Sequence, residues 1–297
     1  MALLEQAEAQ GSLRASGDVA RRQALSRASR YILLGTTIVG VGALVFLGFD
    51  VIRVGGGRVS WDFVTSYPSR FADQAGLRSS ILGTAWVMGL TMAMAIPVAI
   101  GTAIFMEEFA PKNRLRTIIS LNIANLAGVP SIIYGILGLA VFVRFLGLGP
   151  TILAGALTLA LMILPMTIVA SVEALRQVPP SIRDGSLALG ATRWQTVWYH
   201  TLPGALPGIM TGTILAIARA AGETAALIMI GAFAFIAFDN KSPNESFTTV
   251  PIQIYNWTTR PQEAFRENAA AGIMVLMIAV LSLNVVAVLI RERFRRK

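Results

Sequence analysis

The chain has 297 residues, 55% of them hydrophobic and only 14% charged, with a mean hydropathy of +0.64. Soluble domains carry roughly 25% charged residues, so a soluble enzyme is set aside, and the recurring long apolar runs are read as helices of a polytopic membrane protein. The net charge of +9 would suggest nucleic acid in a soluble protein. Here basic residues at helix ends are topology signals beside anionic headgroups, and no nucleic-acid partner is expected.

Residues 1–30 read as a polar cytoplasmic tail, mobile or loosely helical, whose five arginines and lack of an apolar run do not fit a cleavable signal peptide. A first span is predicted over about Tyr31 to Ile52, followed by a Gly-rich connector to Leu77. The second span runs from about Ser80 to Met106 and contains Pro97, which a membrane helix tolerates when neighbours satisfy the freed carbonyl. Glu107 to Arg116 is a charged turn. Its Glu107-Glu108 pair needs no catalytic role.

The third span, about Thr117 to Phe145, contains Gly128-Val129-Pro130-Ser131. Pro130 removes an amide donor, so a kink or break is predicted there. A fourth span covers about Pro150 to Val172. A polar island follows, then a long fifth span over about Ala205 to Phe238. A polar connector containing Trp257 leads to a sixth span, about Asn268 to Ile290, and the basic tail 291–297. Trp61, Tyr67 and Trp257 are expected as interfacial anchors.

The organisation is therefore a tail (1–30), a first helix with its connector (31–77), a transmembrane domain (78–290) containing a cytoplasmic loop (173–203), and a basic tail (291–297). Six spans place both termini on one side, where sixteen lysines and arginines lie against eight on the other. The positive-inside rule puts both termini and the polar island in the cytoplasm. There is no cysteine, and His200 is the single histidine, so neither a metal site nor a cofactor is expected.

The island, Asp184 to Pro203, is too short to be a domain. A helix of about three turns fits Asp184 to Thr196, with Leu187, Leu189 and Trp194 on an apolar side and Arg193 and Gln195 polar. Two readings stand side by side. It is either an interfacial helix lying on headgroups or a docking element for another protein.

The island's spacing resembles the cytoplasmic loop of ABC importer permeases, with pattern Glu-Ala-Ala, three residues, Gly, nine residues, a branched apolar residue, one residue, Leu-Pro. Asp184-Gly185-Ser186 occupy the first three positions, Gly190 the glycine, His200 the apolar position and Leu202-Pro203 the end. Five stretches resemble one family in the same order: LAGVPSIIYGILGLAVF (Leu126 to Phe142), EALRQVP before the loop, LALGATRWQT within it, ARAAGETAALI (Ala218 to Ile228) and TTVPIQIYNW (Thr248 to Trp257). That family is the A-type permease of the bacterial phosphate-specific importer.

The resemblance implies an all-α, six-helix type I ABC importer permease in the bacterial inner membrane. It also implies a homologous C-type permease, two copies of a cytoplasmic ATPase subunit, a periplasmic phosphate-binding protein and phosphate as partners. Asp184, Gly185, Ser186, Leu187, Leu189, Gly190, Arg193 and Trp194 would couple to the ATPase. None of the three lysines lies in a Gly-Lys-Ser/Thr P-loop, so no nucleotide site is expected here, and the resemblance implies a transport subunit whose ATP work belongs to a partner.

Arg219 and Glu223 fall inside the fifth span, where ionisable residues are costly and usually functional. Four residues apart on one helix, they share a face and can pair. Beside them runs a stripe of small residues, Gly204, Gly208, Gly212, Ala216, Ala220 and Thr224, suited to close helix packing. The pair either lines a substrate pathway, with Arg219 as a planar donor fork for phosphate, or fixes register between helices. Ser131, Tyr134 and Thr224 could add hydroxyl donors, or back-bond within their own helices.

A divalent anion entering against ~100 mV inside-negative costs about 4.6 kcal/mol, which argues for a pump over a passive pore. The rivals are a permease for another oxyanion (sulfate, molybdate, phosphonate) and a proton-coupled secondary transporter using Glu223.

Overall fold

In a bilayer every backbone amide and carbonyl must be satisfied within the protein, and the apolar runs accordingly fold as helices. The computed structural model describes residues 17–232 and 235–295. The first sixteen residues of the expected tail and the last two of the chain lie outside that range. Among the described residues five helices are long and apolar enough to cross a membrane, and a bent pair makes a sixth span when counted as one.

The chain divides into two compact units, Met1–Val51 and Ile52–Lys297. What is described of the first belongs to helix α1 (Gly17–Gly55), which begins well before the predicted span. Its large apolar side chains, Leu33, Leu44 and Phe46 among them, are exposed, as a lipid-facing helix requires.

The second unit is built around α6 (Ile152–Arg176). This helix packs against α3 (Arg78–Ile104), α4 (Arg114–Ala127), α5 (Ser131–Gly138) and α9 (Leu202–Ala221). A last long helix, α12 (Ala264–Arg295), lies against α9 and against the short α11 (Val250–Thr258). Pro97 and Pro165 sit within α3 and α6 without interrupting them.

The break predicted at Gly128–Pro130 is a 100° bend between Arg114–Ala127 and Ser131–Phe145. Beyond the proline the chain runs as α5 and then as a π-helical segment, Leu139–Phe145. The Tyr134 hydroxyl donates to the Leu126 carbonyl at 2.7 Å, a second bond to an acceptor near the end of α4 that also takes the Val129 amide at 3.1 Å.

The fifth span departs from expectation. Instead of one helix to Phe238, α9 stops at Ala221, and a single short helix, α10 (Ala225–Met229), follows. The small-residue stripe has its partner in α6. A methyl on Gly208 would lie 2.7 Å from Cβ of Ala174, and one on Gly212 would collide with Cβ of Ala170. The two helices thus meet nearly backbone to backbone, with positions spaced by four on each.

On the side opposite the island, α2 (Trp61–Thr65) and α11 enclose a core of Phe63, Leu77, Trp257 and Phe265. Trp257 is completely buried and Phe63 lies against it with ring centroids 5.7 Å apart. This corrects the expectation of an interfacial anchor there, whereas Trp61 is 80% exposed. Arg58 ties the connector down through Asn268 Oδ1 and the Ala72 carbonyl, both at 2.8 Å. Arg78 donates from Nε to Asp239 Oδ1 at 2.9 Å. That hydrogen bond holds the Asp239 carboxyl below its ordinary value.

Candidate functional site

The polar island is not one helix but two short ones. Helix α7 spans Pro180–Ala188, and α8 spans Arg193–Thr196. Pro180 at the start of α7 has no amide to leave unsatisfied. The helix ends where Gly190 turns with φ +89°, a backbone conformation that favours glycine. Thr192 then caps α8 in a reciprocal box with Gln195. A π-helical turn, Val197–Thr201, leads without a gap into α9.

One side-chain contact closes the turn between α7 and α8, and ring contacts hold α8 beyond it. The Ser186 and Thr196 hydroxyls lie 3.0 Å apart across the turn and are buried. Trp194 stacks on Trp198 at 5.9 Å and touches Phe109 at 6.1 Å between ring centroids. Asp184, Gly185, Leu187, Leu189, Gly190, Arg193 and Trp194 are all exposed, Leu189 at 91%. Ser186 alone among the predicted coupling residues points inward. A nearly naked leucine on a rigid, polar-flanked elbow suits a protein surface that would cover it.

The elbow is anchored by a residue that the sequence reading did not single out. Arg183 donates from Nη2 to Glu108 Oε1 at 2.8 Å and from Nε to the same oxygen at 3.0 Å, and its remaining donors reach the carbonyls of Leu175 and Val178. Next door, Glu107 accepts from Arg116 and, at 3.1 Å, from Arg176. The acidic pair thereby pins α7 and the end of α6 to the end of α3. Only the side of the membrane, not the pairing, was readable from charges so far apart in sequence.

Within the membrane segment, the predicted Arg219–Glu223 pair is not formed. Because α9 stops at Ala221, the two residues no longer lie one helical turn apart. Glu223 Oε1 instead accepts the Ala226 amide at 3.1 Å, satisfying one orphan donor at the start of α10. Arg219 is exposed, and among the described residues its one hydrogen-bond partner is the Met166 sulfur, 3.9 Å from Nη1. A thioether is a weak acceptor, so most of the guanidinium's donors remain available. Tyr134 lies within electrostatic reach of that charge, but its hydroxyl is committed to Leu126. The Thr224 hydroxyl reaches only the Gly222 carbonyl, at 3.4 Å. Ser131 opens α5 just beyond the bend. Among the described residues no group of histidine and acidic side chains could hold a metal ion.

A bundle of bent and broken membrane helices, with an exposed elbow leading directly into a charge-bearing helix, is the architecture of a transport permease. The family described as "Binding-protein-dependent transport system inner membrane component" matches residues 95–297. The chain is 34% identical to the "Probable ABC transporter permease protein YqgI" of Bacillus subtilis (strain 168), covering 86% of this chain and 91% of that protein. It is 33% identical to the "Phosphate transport system permease protein PstA 1" of Mycobacterium tuberculosis (strain ATCC 25618 / H37Rv), covering 75% and 71%. A bacterial alginate ABC transporter, solved in complex with an alginate-bound periplasmic protein, shares the fold with a TM-score of 0.62 at 18% identity over 92% of this chain and 96% of that one. The chain belongs to the binding-protein-dependent inner membrane component family and has the type I ABC importer permease fold.

Proposed function

We propose that this chain is the A-type permease subunit of an ATP-driven importer that brings inorganic phosphate into the cell. The observation that carries the reading is Arg219, a spanning-helix cation whose one hydrogen-bond partner among the described residues is a thioether. A free guanidinium fork suits the oxygen geometry of a tetrahedral oxyanion. The curated relatives named as phosphate transport permeases support the choice of phosphate over other oxyanions. A homologous C-type permease completes the pore, a periplasmic phosphate-binding protein delivers substrate, and of two copies of an ATPase subunit one receives the elbow at Leu187, Leu189 and Trp194. Both termini and the elbow face the cytoplasm by the positive-inside rule.

The chain's task is passage and coupling, and ATP hydrolysis belongs to the partner subunit. Movement of the elbow is transmitted through the π-helical turn at Val197–Thr201 into α9, and so to Arg219.

The test is phosphate uptake, with ATPase stimulation, in vesicles holding the full complex and competing sulfate, molybdate or phosphonate. Arg219→Ala abolishes uptake while the complex still assembles, and Arg219→Lys rescues poorly because the fork is lost. Full uptake by Arg219→Ala overturns the pathway role. Preferential competition by another oxyanion overturns the choice of phosphate.

A further inference from the structure

Where the ends of α3 and α6 meet the start of α4, a cavity of about 870 Å³ opens on the same side as the elbow. Its walls include Lys112, Arg114, Arg116 and Arg176, opposed by the single carboxylate of Glu107. Glu107 already engages Arg116 and Arg176. Lys112 and Arg114 are exposed and, among the described residues, have no ion-pair partner. The Ser120 side chain, one turn further along α4, adds a hydroxyl to the wall.

A second cavity, of about 340 Å³, adjoins the first and shares Asn113 and Arg116 with it. This one is apolar, lined by Phe105, Met106, Leu115 and Ile119. Phe105 and Leu115 are both more than 60% exposed. A cationic bowl continuous with an apolar groove, at the ends of membrane-crossing helices, matches an amphiphile with a charged head and a hydrocarbon tail. Free phosphate would have no use for the groove.

We propose that this pair of cavities binds an anionic phospholipid of the cytoplasmic leaflet, with its phosphodiester at Lys112 and Arg114 and one acyl chain along Phe105, Leu115 and Ile119. Anionic lipids enrich that leaflet and are drawn to basic clusters at headgroup depth. The bound headgroup lies against the Glu107–Arg176 pair, one residue from the Glu108 that pins the elbow. The lipid site is separate from both the elbow's exposed face and the Arg219 region.

Native mass spectrometry of the full chain in mild detergent, titrated with phosphatidylglycerol or phosphatidylcholine, tests the proposal. The expected result is retention of phosphatidylglycerol over phosphatidylcholine, weakened by 0.5 M salt. Lys112→Gln with Arg114→Gln should lower phosphatidylglycerol affinity roughly fivefold per residue, about thirtyfold together. Both side chains are exposed, and an unchanged unfolding temperature serves as the folding control. Leu115→Gln with Ile119→Gln should weaken the lipid while leaving water-soluble glycerophosphoglycerol unaffected. Equal retention of the two lipids, or indifference to the Lys112 and Arg114 substitutions, overturns the site. Displacement of phosphatidylglycerol by millimolar inorganic phosphate alone assigns the bowl to free phosphate and overturns the lipid.

Discussion

Arg183 clasps Glu108 across 75 positions of sequence, with the guanidinium also bonded to the Leu175 and Val178 carbonyls. One side chain thus holds the end of α6, the start of the elbow and the end of α3 together. Arg183→Ala strands a mostly buried carboxylate and takes a donor from two carbonyls, and should cost about 3 kcal/mol of stability. Exchanging the charges, with Glu108→Arg and Arg183→Glu, should not restore it, because a carboxylate cannot donate to the carbonyls. Thermal unfolding of the two variants checks this, and recovery by the exchange would show that the ion pair alone matters.

Glu223 acts through an acceptor oxygen on the Ala226 amide. Glu223→Gln keeps an acceptor and should leave uptake and stability near wild type, whereas Glu223→Ala should lose about 1 kcal/mol with the cap. A Glu223→Gln variant devoid of transport would show that the charge itself is needed, as a proton-coupled mechanism would require.

The contact between α6 and α9 grades the cost of added bulk by position. A methyl at Gly204 meets Val178 at an ordinary 3.5 Å, but at Gly208 it meets Ala174 at 2.7 Å. Gly204→Ala should be nearly silent, while Gly208→Ala should cost about 1–3 kcal/mol by overpacking. Equal unfolding temperatures for the two would argue that the helices part easily.

Tyr134 braces the 100° bend by its hydroxyl. Tyr134→Phe should lose about 1 kcal/mol and reduce uptake without touching substrate. The readout is a fall in maximal uptake rate at unchanged half-saturating phosphate. A shift confined to half-saturation would instead place the hydroxyl on the substrate.

Asp239 is held below its ordinary carboxyl value of 3.8, chiefly by its hydrogen bond to Arg78. A carboxylate depressed in the folded state stabilises fully above its unfolded value and loses that contribution as pH falls through the folded one. Hydrogen exchange in residues 235–249 should therefore be flat from neutral pH down to the ordinary carboxyl range and loosen below it. Arg78→Gln should abolish that acid step. An acid step that persists in Arg78→Gln would assign it to another group.

Much of this arrangement was legible in the sequence because lipid enforces helices and small residues mark where they approach closely, while Gly128–Pro130, unlike Pro97 and Pro165, marks where one fails. The bend beside Pro130 and the small-residue face of α9 both follow from these signals. The stop of α9 at Ala221 was not legible. Gly222 interrupts an otherwise helical, apolar run, and only the tertiary course of the chain shows that it ends the helix. The Arg219–Glu223 pairing failed with it, since the expectation assumed one continuous turn. Trp257 misled for a related reason: an aromatic in a connector is at home at an interface, but here α2 and α11 enclose it. The elbow's exposed residues were found by spacing, while its turn at Gly190 divided the expected helix.

The glycine face of α9 has a mechanical consequence. Where Gly208 and Gly212 meet Ala174 and Ala170, no long side chains intervene that could change rotamer and absorb a displacement. Sliding one helix past the other would drive methyl groups into backbone. The two helices are therefore expected to shift together, so that a displacement of the elbow entering at Pro203 would carry α6 along with α9. The rod of α9 ends at Gly222, so flexing under such a displacement would fall between Arg219 on α9 and Glu223, which caps α10.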